Sequence, residues 1–171
     1  MQDASGSTGT VPIRLVESDG LEGALAGLPG PEAAWARANG FRGRIGQVLA
    51  IPGDDGRIAA VLLGWGDAEA RRRERFPLGG FAADAPAGTY RLETELPPAE
   101  AERAALGWLL SRYRFDRYKA TKSDTEAHLL SPPGVDGERL GVVAEGVYVT
   151  RDLVNTPAND MGPAELETAA R

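Results

Sequence analysis

Gly64-Trp65-Gly66 follows an apolar run and precedes a helix signal, a place where missing side chains let backbone amides approach a phosphate. A dinucleotide fingerprint would put its third glycine at position 69, but Glu69 stands there, with a carboxylate that repels a pyrophosphate. The turn therefore reads first as a plain strand-to-helix connection. Arg71-Arg72-Arg73-Glu74-Arg75 offers guanidinium groups for an anion. On a helix these arginines wrap more than half the circumference, which predicts a solvated or subunit-facing helix rather than a ligand site. His128 is the only histidine, flanked by Ala127 and Leu129, with no second histidine and no cysteine to share a metal. No Gly-x-Ser-x-Gly elbow occurs, and Ser5, Ser7, Ser18, Ser111, Ser123 and Ser131 fall in the tail, in turns or in a helix. Asp54, Asp55, Asp116 and Asp124 fall in expected turns and loops, without the grouped carboxylates and lysine of a two-metal hydrolase. On chemistry alone the chain reads as an α/β domain with no catalytic, cofactor-binding or metal-ligating residue of its own.

The composition narrows the partners. With 19 Lys and Arg against 25 Asp and Glu the net charge is −6, the wrong sign for a surface that displaces counterions from nucleic acid. The absence of cysteine removes disulfides, thiolate metal sites and cysteine nucleophiles. No apolar run approaches membrane-spanning length and the start is small and polar, so neither export nor membrane insertion is indicated and a cytoplasmic location is expected. A length of 171 residues suits one core, and 22 glycines with 12 prolines imply many short elements joined by turns.

Residues 1–10 are expected to form a flexible tail, and residues 11–16 a first strand of β-branched character. Pro31 is placed at the first turn of a helix that stops at Asn39-Gly40. Residues 47–51 and 57–63, separated by Pro52-Gly53-Asp54-Asp55-Gly56, form the clearest hairpin. The unbroken apolar character of residues 58–63 predicts a strand buried on both faces. Asp67 is an N-cap for a helix over residues 68–75. Residues 89–96 alternate as a half-wet strand near a sheet edge. A helix from residue 99 to about 113 is expected to lay Leu106, Leu109, Leu110 and Tyr113 on the sheet. Residues 126–130 suggest a short strand, and periodicity leaves residues 140–154 open between helix and strand. Pro163 opens a last helix. Alternating strands and helices predict a central sheet covered on both faces.

The stretch Arg151-Asp152-Leu153-Val154-Asn155-Thr156-Pro157-Ala158-Asn159 within residues 144–163 resembles the segment that joins the two domains of the leucyl aminopeptidase family, the M17 cytosol aminopeptidases. The order of earlier elements is compatible with that resemblance, and the motif strength lies in residues 144–163. It implies a helix leading into the motif, a macro-domain-like α/β fold with a central mixed sheet, and a division into an N-terminal accessory domain over residues 11–154 and an interdomain linker with the start of a catalytic domain over residues 155–171. Asn155, Thr156, Pro157 and Asn159 carry over as linker residues only.

The resemblance further implies a parent enzyme that removes N-terminal amino acids from peptides with two divalent ions, zinc or manganese, and assembles as a homo-hexamer. The family's metal ligands and catalytic lysine and arginine match no position here. The expected partners are therefore the parent's own catalytic domain and sister subunits, and the isolated chain is expected to be inactive and monomeric or weakly dimeric. The competing reading is a freestanding macro-domain-like module that binds ADP-ribose or a related nucleotide, with Gly64 and Gly66 as the phosphate contact.

Overall fold

The computed structural model describes residues 9–119 and 126–170. The element order is β1 (Val11–Glu17), α1 (Leu21–Ala26), α2 (Gly30–Ala38), β2 (Val48–Pro52), β3 (Ile58–Gly66), α3 (Ala68–Arg73), α4 (Gly79–Asp84), β4 (Gly88–Leu92), α5 (Pro98–Ser111), β5 (Ala127–Leu129), α6 (Gly137–Asn155) and α7 (Pro163–Ala170). The strands form one mixed sheet in the order β2-β3-β1-β4-β5. β1 runs parallel to β3 and β4, β4 runs parallel to β5, and β2 alone is antiparallel, as the partner of β3 in the expected hairpin. The fold is thus α/β, with a five-stranded mixed sheet flanked by helices.

β3 explains why both faces must be covered. Its alternate residues Val61, Leu63 and Trp65 enter one core with Ile13, Leu15, Tyr90, Leu129 and the helices α4 and α5. Ala60 and Leu62 enter a second core with Val16, Ile51, Leu25 of α1, Ala36 of α2 and Phe41. The larger core is built around Trp108, whose ring lies 5.5 Å from Tyr90 and 5.9 Å from Phe81, with Phe81 edge-on to Tyr90 at 5.3 Å. The buried Tyr90 hydroxyl donates to Pro86 O at 2.8 Å, which satisfies its polar end.

Two local expectations change. α5 buries Ala101, Ala104, Ala105 and Trp108, while Leu106 and Leu109 are half-buried against the larger core and Leu110 is half-buried outside it. The small residues win because they let the helix axis approach closely enough for one indole to fill the space. α3 ends at Arg73 rather than continuing to Arg75, since Glu74 is extended, and a separate short helix, α4, begins at Gly79. Asp67 caps α3 through Ala70 N at 2.7 Å, and Asp136 caps α6 through Arg139 N at 3.0 Å.

The residues 43–47 cross the second sheet face over Gly64. Gly46 N donates to Gly64 O at 3.0 Å, Gly64 N to Gln47 O at 2.7 Å and Gly66 N to Gly43 O at 2.9 Å. A Cβ on Gly64 would stand 1.9 Å from Arg44 O, and Gly66 holds a φ of +66° against Ile45. These glycines therefore serve backbone packing. Gly64→Ala is expected to destabilise the chain by more than about 3 kcal/mol, because rigid backbone cannot yield to the methyl group. Gly141→Ala, inside α6 with open space at its Cβ, is expected to stabilise by about 0.5–1 kcal/mol. Urea unfolding midpoints check both signs.

Candidate functional site

The linker motif begins inside α6 and is held by side chains from the far end of α5. Tyr113 Oη donates to Asp152 Oδ1 at 2.7 Å and accepts from Asn155 Nδ2 at 3.1 Å. Arg151 lies over the Tyr113 ring, 5.3 Å from its centre, and donates to Leu110 O at 2.9 Å. Tyr148 packs against Tyr113 with ring centres 5.4 Å apart, and its hydroxyl donates to Leu109 O. Four side chains of α6 thus satisfy or cover polar groups at the C-terminal end of α5, where the last carbonyls lack helical partners.

Thr156 is the C-cap of α6 and is 7% exposed, unusual for a polar residue on a helix end. Its hydroxyl donates to Asp152 O at 2.6 Å, and Arg117 Nη1 reaches that hydroxyl at 3.4 Å. Beyond it the chain turns, with Asp160 N donating to Pro157 O at 2.9 Å, and Tyr118 Oη donates to Asp160 Oδ2 at 2.5 Å. Pro157 and Asn159 are exposed in this turn. α7 then opens at Pro163, with Glu165 reaching back to Gly162 N at 3.0 Å.

Of the linker residues read from the motif, Asn155 and Thr156 are tied to the body of the fold by side-chain bonds, and Pro157 and Asn159 shape the turn at its surface. The anchors Tyr113, Arg117 and Tyr118 were missed. They lie about forty residues upstream: Tyr113 reads in the sequence only as an apolar position of the helix before it, and Arg117 and Tyr118 follow in a stretch with no periodicity, where only the run of aromatic and arginine residues after α5 could have drawn attention to them.

The other sequence candidates disperse. His128 is exposed on the edge strand β5, opposite Thr89. Asp55 accepts from Arg57 N at 3.0 Å and closes the hairpin turn. Ser111 packs its hydroxyl against Gly79. Ser5, Ser7, Ser123 and Asp124, together with most of the expected N-terminal tail, lie outside the described residues. Among the described residues no group of three His, Cys, Asp or Glu side chains is placed to hold a metal ion. Among the described residues no helix is long and apolar enough to cross a membrane.

The clamp has a pH signature. Desolvation and the hydrogen bond to Asp152 hold the Tyr113 phenol above its ordinary range, and the hydrogen bond to Asp160, with desolvation, does the same for Tyr118. A phenol whose folded pKa lies above its unfolded value contributes stability that is present below the unfolded pKa and is lost as pH rises through the folded one. Stability should therefore fall above about pH 10. Burial raises Tyr90 in the same direction. The double variant Y113F/Y118F is expected to start less stable at pH 8 and to lose less between pH 8 and 10.5, without becoming pH-independent. Chemical denaturation at the two pH values reads the difference in slope.

Residues 11–132 match the family profile described as the M17 aminopeptidase, N-terminal domain. The chain is 36% identical over 156 aligned positions to a probable cytosol aminopeptidase of Methylobacterium radiotolerans, covering 79% of this chain and 31% of that protein. A probable cytosol aminopeptidase of Streptomyces avermitilis is 32% identical over 189 positions, covering 92% of this chain and 36% of that protein. The crystal structure of the cytosol aminopeptidase from Coxiella burnetii superposes with a TM-score of 0.83 at 32% identity, over 96% of this chain and 35% of that one. The bottromycin maturation enzyme BotP, solved in complex with manganese, superposes with a TM-score of 0.65 at 26% identity, over 94% of this chain and 35% of that one. The chain spans 31–36% of the length of these relatives. On this evidence the chain belongs to the M17 aminopeptidase family and carries its N-terminal domain.

Proposed function

We propose that this chain is a non-catalytic accessory domain of a cytoplasmic aminopeptidase that removes N-terminal residues from peptides, and that it supports assembly and access to an active site lying on polypeptide outside it. In this reading residues 11–154 are the accessory domain and residues 155–171 are the interdomain linker with the start of the catalytic domain. The two divalent ions, zinc or manganese, and the catalytic side chains belong to that other part. Its expected partners are that catalytic part and, in the assembled enzyme, sister subunits of a homo-hexamer.

The observation that carries the reading is the outer face of α6. Leu140 and Ala144 turn inward and are buried. Val142, Gly146, Val149 and Leu153 fall on one line along the opposite side of the helix. Val142 is 69% exposed and Val149 49% exposed. Val154 and Leu166 add exposed apolar surface beside the linker. A helix meant to face water carries polar residues there, so a continuous apolar line marks a surface to be covered. The clamp on Asp152, Asn155 and Thr156 holds that line and the departing chain in one orientation.

The nucleotide-binding alternative draws no support from Gly64 and Gly66, whose amides are taken by Gln47 O and Gly43 O.

The test is hydrolysis of a chromogenic leucine amide with added manganese or zinc. The chain alone is expected to be inactive and to sediment as a monomer or weak dimer. The chain joined after Arg171 to the C-terminal part of the Methylobacterium radiotolerans relative is expected to be active and to form hexamers. V142D/V149D is expected to disrupt assembly of the joined protein while leaving the circular dichroism of the isolated chain unchanged. Activity or a stable hexamer from the isolated chain refutes the reading.

A further inference from the structure

The arginines after β3 do not disperse around a helix as their spacing predicts. α3 stops at Arg73 and Glu74 is extended, so Arg75 returns to the side of Arg71 and Arg72. These three line a cleft of about 590 Å³, closed on its other wall by Glu100 and Arg103 from the first turns of α5. A narrower recess of about 50 Å³ continues inward to Trp65, Pro77 and Ala104. α3 follows β3 and α5 follows β4, and β3 and β4 both run parallel to β1. The cleft therefore lies beyond the C-terminal ends of the parallel strands, where open α/β sheets take their ligands.

What sets this cleft apart is that several arginines share one volume. Several exposed arginines outside it have acidic partners, as in Arg37 with Glu22, Arg73 with Glu69 and Arg139 with Glu102, and Arg42 and Arg114 donate to backbone carbonyls. Arg71 is committed to Glu17 at 2.9 Å and to Gly66 O at 3.0 Å. Among the described residues, no side-chain hydrogen bond or ion pair engages the guanidinium groups of Arg72, Arg75 and Arg103. Three like charges delivered from two elements to one cavity repel one another unless an anion joins them. Glu100 faces the same volume, and Glu74, on the recess, accepts from Phe76 N at 3.2 Å.

We propose that the cleft between α3 and α5 binds a small molecule carrying phosphate or carboxylate groups, held by Arg72, Arg75 and Arg103. Guanidinium forks pair with the oxygens of either group through two parallel hydrogen bonds. Glu100 opposes the anion and sets its affinity. A nucleic-acid duplex fits poorly, since phosphates beyond the cleft would meet a chain of net charge −6.

The test is calorimetric titration of the full chain with inorganic pyrophosphate and, separately, with citrate, each at ionic strength held constant with sodium chloride. Saturable binding by either probe is expected, and the stronger of the two identifies phosphate or carboxylate as the preferred group. R75A/R103A is expected to weaken binding at least about tenfold, the scale of losing charge-assisted hydrogen bonds. E100Q is expected to strengthen it about threefold by removing a like charge. R57A, on the hairpin turn, is expected to change nothing. All these side chains are at the surface, so circular dichroism should be unaltered in every variant. Absence of saturable binding by both probes, or equal affinity in R75A/R103A and the parent chain, overturns the proposal.

Discussion

The passage of one peptide segment over Gly64 is the constraint on which the arrangement depends. Because no side chain projects there, Arg44 O can occupy the position a Cβ would need, and residues 43–47 can bond with both Gly64 and Gly66. Gly43, with a φ of +66°, comes within 3.0 Å of the Val16 and Glu17 carbonyls by the same measure. One segment thus ties the ends of β1 and β3 and continues directly into β2. A doubly wound sheet ordinarily leaves a crevice where successive connections depart to opposite faces. Here α1 and α2 cover one face and α4 and α5 the other, and the chain's own backbone fills the space between. Room for a ligand then shifts outward, to the gap between α3 and α5.

The electrostatics of the sheet follow the same layering. Arg14, on the face of β1 that meets α2, bonds both Glu32 and Glu93, and links a helix on one face to the chain beyond β4. The hydrogen bond from Arg14 is the main reason that the Glu93 carboxyl is held below its ordinary range. Leu15 N donates to Thr94 Oγ1 at 2.8 Å, so the ladder between β1 and β4 is prolonged by a side chain after the strand ends. The alternation over residues 89–96 therefore outlasts regular strand geometry, with β4 ending at Leu92. The sequence pattern records which side is wet, not how far the backbone ladder extends.

Several elements were legible because their causes are local. Turn residues, an unbroken apolar run and a side-chain cap identify the hairpin, β3 and the start of α3 without knowledge of neighbours. What escaped depends on distance along the chain. The fully buried stripe of α5 is alanine and tryptophan, with Leu106 and Leu109 packed at its margin, a choice made by the space left above Tyr90 and Phe81. The helical character of residues 140–154 could not be read from periodicity, since valines on the outer face of α6 mimic a strand. The motif around Asn155 and Thr156 was legible as a family resemblance, but its anchors at Tyr113 and Tyr118 stand 42 residues away in each case.

α6 is 19 residues long, which makes it a rod of about 28 Å. A rod transmits orientation only if it cannot pivot. Leu140 seats its first half in the larger core and Ala144 is buried one turn on, but its second half has no buried apolar residue. Packing alone would leave that half free to splay. The bonds from Tyr113, Leu109 and Leu110 act on the second half, and Thr156 fixes the cap. The polar clamp and the outward valines are thus complementary. Apolar contacts on the inner side would have held the rod as well, but each polar bond near its end fixes rotation about the axis, which decides where the valine line points. A surface that must meet one particular neighbour needs that rotation specified before the neighbour arrives.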